Sequence, residues 1–185
     1  MATALDFFQK YFDLEWEAHV AYATNPDMDA ANAVNATFSA HRRPGVREDY
    51  ERTKWDDEDD LADWMDGAAH RTLWAVATHR DGKAAIAYAS GINGNTTKSF
   101  SERFAAIEEG DKWVVLASQS RCFKCRPGEP CSRCDGSGWS DWNGEAPEEL
   151  GPATAFTRYA EPTEFSRSGV DFLAGSNGTW PDPAG

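Results

Sequence analysis

Apolar side chains recur along this chain in two rhythms, and the change between them divides it. Near the N-terminus the steps are three and four: Leu5, Phe8, Phe12, Trp16 and Val20. That spacing places them on one face of an α-helix, which Phe7, Tyr11 and Leu14 widen. A helix this apolar is expected to pack against a sheet. Asn25 and Pro26 read as the N-cap and first position of a second helix. Met28, Ala31, Asn35 and Phe38 carry it toward His41, and Pro44-Gly45 ends it. Leu61, Trp64, Met65 and Ala68 form a further helical stripe.

From Arg71 the period is two, which predicts strands at 72–78, 83–90, 98–108 and 112–120. Asp81-Gly82 joins the first pair as a tight hairpin, and Glu109-Gly110-Asp111 turns between the third and fourth. Alternation through Phe100, Arg103, Phe104, Ala106 and Glu108 is imperfect, so the register of that strand stays open. The run 153–159 reads as a last strand returning to the sheet. Helices first and strands afterwards make an α+β chain with an antiparallel meander.

Composition narrows the class. Among 185 residues, eight Trp, ten Phe and five Tyr supply enough apolar surface to exclude disorder throughout. No apolar run approaches the ~20 residues that cross a bilayer. The N-terminus lacks the basic and unbroken apolar regions of a signal peptide, so the expected location is the cytoplasm. The net charge of −13 argues against nucleic acid and against anionic membranes. Between 48 and 66, ten acids face only Arg52 and Lys54, a local balance of −8. Acids at 56–60 would cap the third helix, where the macrodipole favours anions. They lack the spacing and glycine of an EF-hand. The patch is expected to meet a basic partner or a second copy of the chain.

The four cysteines carry the most specific signal. Cys122 and Cys125, then Cys131 and Cys134, are spaced CxxC, five residues, CxxC. Two residues between thiolates let both sulfurs meet one ion, and two such turns give a tetrahedral set of four thiolates. The expected cofactor is structural zinc. Arg121, Lys124, Arg126 and Arg133 are interleaved with the ligands, opposed by Glu129 alone. Such cations stabilise thiolates. A basic patch for nucleic acid, a redox dithiol pair and an iron–sulfur cluster are the competing readings. The second pair continues through Gly136 and Gly138, similar to the CxxCxGxG knuckle of DnaJ-type chaperones, although no His-Pro-Asp signature accompanies it. That resemblance implies a zinc turn and not a chaperone.

The order of elements resembles the NTF2-like superfamily, which includes SnoaL-type and ketosteroid-isomerase-type proteins. The stretch 100–118 carries the likeness: a strand, an acidic-Gly turn, then Lys112, Trp113 and a β-branched run. It covers 5–120 and in part 153–160. The resemblance implies helices packed on a curved antiparallel sheet, forming a cone around an apolar pocket. It assigns no catalytic residue.

The chain is therefore divided into an α+β domain at 1–120, a zinc-knuckle insertion at 121–152, a closing strand at 153–160 and a tail at 161–185. Of the histidines, His19 lies beside the apolar helix face, while His79, before the hairpin turn, is expected to be exposed. His41 and His70 carry no pattern. Asp13, Glu15 and Glu17 read as a solvated face, with a buried general base as the sharper alternative. The favoured function is a non-catalytic, zinc-stabilised binding protein with an apolar pocket and an acidic partner surface. Its partners would be a basic protein or a small apolar ligand, with homodimerisation open. The alternatives are a SnoaL-type or isomerase-type enzyme using a buried acid or histidine, and a nucleic-acid-associated regulator acting through the knuckle.

Overall fold

The computed structural model describes residues 2–24, 28–43, 46, 71–92, 99–122, 131, 134, 139–140, 142–144 and 156–160. The chain begins with two helices, α1 at Ala4–Thr24 and α2 at Met28–Ser39. Thr3 and Asp6 make a capping box at the start of α1. The Asp6 amide donates to Thr3 Oγ1 at 3.1 Å, and the Thr3 amide donates to Asp6 Oδ2 at 3.1 Å. The Thr3 hydroxyl adds a third bond to the same carboxylate oxygen at 2.7 Å. These bonds to the charged form hold the Asp6 carboxyl below its ordinary pKa. Asn25, Pro26, Pro44, Gly45, the acidic segment 48–66 and the stripe from Leu61 to Ala68 lie outside the described residues.

Period-two patterning becomes an antiparallel meander. Its strands are β1 at Thr72–His79, β2 at Ala84–Ile92, β3 at Ser99–Glu109 and β4 at Lys112–Ser120. A two-residue strand, β5 at Asn143–Gly144, pairs with β4, and β6 at Phe156–Ala160 pairs with β1. The order across the sheet is β5-β4-β3-β2-β1-β6, every pairing antiparallel. Both central hairpins turn on a glycine at positive φ, Gly82 at 78° and Gly110 at 67°. At the first, the Lys83 amide donates to Asp81 Oδ1 at 2.8 Å, and that bond leads the forces lowering the Asp81 pKa.

The open register of β3 resolves cleanly. Its pairing with β2 is continuous from Ala84↔Ile107 to Ile92↔Ser99. The irregularity lies in its pairing with β4, where Ala105 meets Ala117 but Ala106 meets Val115. The extra residue, Leu116, makes a bulge. The alternation looks blurred because the sheet is covered on both sides, so Arg103 can be buried while pointing away from Phe104.

On the helix side, small sheet residues face large helix residues. Ala85, Ala87, Ala89 and Ala106 lie under Phe8, Tyr11 and Phe12 in one core. The rings interlock: Phe12 meets Phe104 edge-on at 5.0 Å, and Tyr11 lies 5.2 Å from Phe38 of α2. Close packing of this kind needs bulk on one layer and space on the other. A second core on the far side joins Ala75, Ile86, Tyr88 and Leu116 to Trp139, with Trp74 and Trp142 at its margin.

The outer edge of β4 is occupied by two separate segments. The Val115 amide donates to the His41 carbonyl at 2.8 Å, and the Arg43 amide donates to the Val115 carbonyl at 3.0 Å. Farther along, β5 pairs with Ala117 and Ser118. No described helix is long and apolar enough to cross a membrane.

Candidate metal centre

The cysteine segment grows out of the end of β4. Arg121 closes the strand, donating its amide to the Ser101 carbonyl at 2.8 Å, and Cys122 follows. The chain returns at Trp139, which bridges antiparallel to Arg121. The cysteines therefore lie in an excursion between two paired positions.

Cys122, Cys131 and Cys134 converge, with their sulfurs all within 4.8 Å of one another. Cys122 Sγ and Cys131 Sγ are 3.8 Å apart. Four sulfurs at ~2.3 Å from a tetrahedral zinc stand about 3.8 Å from each other. A disulfide would bring two of them to ~2.05 Å, and all three are free thiols. Cys122 and Cys134 are buried. The Cys134 amide donates to the Cys131 carbonyl at 3.3 Å, which tightens the turn between them. Soft donors, mutual distance and burial together fit a bound metal ion, and the three thiols can hold one. Cys125, Lys124, Arg126, Arg133, Gly136 and Gly138 lie outside the described residues. Arg121 is placed with its guanidinium 5.7 Å from the Trp139 ring centroid, packed on the returning chain.

That returning chain builds a second feature. Arg103, 2% exposed, lies on the far side of the sheet from the helices. Its guanidinium is 4.5 Å from the Trp139 ring centroid and 5.3 Å from that of Trp142. Its Nε donates to Gln119 Oε1 at 2.6 Å, and Gln119 Nε2 donates onward to the Ser140 carbonyl at 2.7 Å. Planar, weakly hydrated guanidinium stacks on indole faces at little desolvation cost. The signal in the sequence is the broken alternation at Arg103 and Phe104 within the strand.

A third cluster lies on the helix side. Glu15, expected on a solvated face, is instead buried at 7% exposure, whereas Asp13 and Glu17 are exposed. Arg71 explains the difference. Its Nη1 donates to Glu15 Oε2 at 2.6 Å and its Nε donates to Glu102 Oε2 at 2.6 Å. The same guanidinium lies over the rings of Phe100 and Phe104. His19, one turn beyond Glu15, is also buried, stacked on Trp16 at 5.5 Å and 15°. His79 is half-buried, not exposed, with Nδ1 2.6 Å from Asp81 Oδ1. The His41 ring lies 5.6 Å from Phe7, and His70 is outside the described residues.

Fold and site together define an α+β chain with a thiol cluster at the end of a central hairpin. Compared with protein-family models, characterised proteins and solved structures, the chain matches none.

Proposed function

We propose that the chain is a non-catalytic binding or interaction domain of NTF2-like type, stabilised by a structural zinc at Cys122, Cys125, Cys131 and Cys134. The carrying observation is the 3.8 Å separation of Cys122 and Cys131 sulfurs, which suits the edge of a zinc–thiolate tetrahedron. A site closed by four thiolates keeps no position for substrate, so its role is to hold chain together. The pairing of Glu15 with Arg71 supports this reading over an isomerase-type enzyme. A carboxylate oxygen bonded to a guanidinium at 2.6 Å is engaged as a structural partner and does not stand open to a substrate. His19, buried beside it on α1, is the observation that favours the enzyme.

Elemental analysis of the native chain is expected to give about one zinc, with the thiols resistant to titration until a chelator is added. Iron in place of zinc, or thiols that titrate freely in the folded protein, would refute the assignment.

The partner is read from charge. The excess of acids at 48–66 suits a basic polypeptide, and such binding is screened by salt. Polylysine is expected to bind on the order of ten-fold more weakly at 200 mM than at 50 mM salt, and duplex DNA is not expected to be retained. Salt-dependent retention of DNA would transfer the role to the knuckle's cations.

A further inference from the structure

We propose that the metal acts as a latch for the segment Trp139–Gly144, fixing it over the second face of the sheet, so that metal loss releases this arm while the helix-covered core stays folded. The proposal rests on the zinc reading above. Its basis is how the arm is held. Strand β5 has two residues, Asn143 and Gly144, and among the described residues pairs with Ser118 and Ala117 alone. Strands this short do not sustain themselves. Beyond it, the Ser140 amide donates to the Ser120 carbonyl at 2.9 Å and the Ser120 amide donates to Ser140 Oγ at 3.0 Å. Trp139 and Trp142 supply the apolar contacts, both on Arg103.

All of these contacts require the chain to leave β4 at Arg121 and come back at Trp139, which closes a loop at an entropic cost. Cys122 and Cys134 lie just inside the two ends of that loop, with their sulfurs in one cluster. An ion shared between them closes the loop beforehand and delivers Trp139 to its place. The main core does not share this dependence. It is built from α1, α2 and the helix side of the sheet, and contains neither the cysteines nor Trp139.

Gly144 gives a control that leaves the thiols untouched. Its φ is +119°, and a Cβ there would meet the Leu116 carbonyl oxygen at 2.4 Å and Ala117 Cα at 2.9 Å. Gly144→Ala therefore pushes the arm off β4 from its far end.

Amide hydrogen exchange of the full chain, with zinc bound and after chelation, tests the latch. Chelation is expected to lower protection at Ser140 on the order of 10- to 100-fold, leaving amides of β2 and of central β3 within about two-fold. Gly144→Ala is expected to lower Ser140 protection with zinc still bound. If zinc is bound and then removed with Ser140 unchanged, the latch is wrong and the zinc reading stands. Equal loss across β2 and β3 also overturns it, because the metal would then hold the whole domain. A chain that takes up no zinc removes both.

Discussion

Replacing Arg71 with methionine is expected to cost about 3–5 kcal/mol of stability, read as a lower urea midpoint at unchanged slope. Methionine retains the aliphatic stem but removes the charged donor that both carboxylates share. The side chains of Glu15 and Glu102 are 9% and 16% exposed, too little for water to replace the lost donor fully. The triad ties the middle of α1 to the start of β1 and to β3, so its loss acts on the whole fold. Adding Glu15→Gln to Arg71→Met should recover part of the loss by removing one of the two carboxylate charges, a coupling that a double-mutant cycle reads directly. A loss below about 1 kcal/mol for Arg71→Met would show that both carboxylates reach solvent, as exposed pairs do.

Phe104→Ala is the second large effect, expected at about 3–5 kcal/mol. The ring is 4% exposed and meets Phe12 at 5.0 Å and Tyr11 at 6.3 Å, each edge-on. Its neighbours across the strands are alanines or short side chains, which cannot move in to fill the vacated volume. Phe104 also carries the Arg71 guanidinium on its face, so truncation loosens the triad as well. Phe104→Leu should cost clearly less, because much of the volume is retained. Thermal or urea unfolding of the two variants provides the comparison; equal losses would mean that ring contacts and not volume set the cost.

Local signals in the sequence are strong where the physics is local. The strands at 72–79, 84–92 and 112–120 follow from period-two patterning, and the turns from Asp81-Gly82 and Glu109-Gly110. The pairing of Cys131 with Cys134 is legible because CxxC spacing lets two sulfurs approach one another, while the approach of Cys122 is set by the fold. Glu15 is misjudged from sequence because its environment is set by Arg71, distant along the chain, and by Glu102, more distant still. No pattern within α1 distinguishes Glu15 from Asp13 or Glu17. Arg103 reads as a disturbance in alternation, since the cover on its face comes from Trp139 and Trp142, residues that follow the cysteine segment. Pairings made by a returning chain leave no trace in the strand that receives them.

The closed outer edge of β4 limits how copies of this chain can associate. A bare edge strand offers a ladder of amides and carbonyls along which another sheet can continue, the usual route to open-ended strand addition. Between Val115 and Ser120 that ladder is interrupted, first by His41 and Arg43 and then by Ser140 and β5. A second copy arriving at this stretch finds its hydrogen-bonding positions already taken by two unrelated parts of the same molecule. Self-association must therefore engage another surface, and the protein is guarded along this margin against growth into extended sheets.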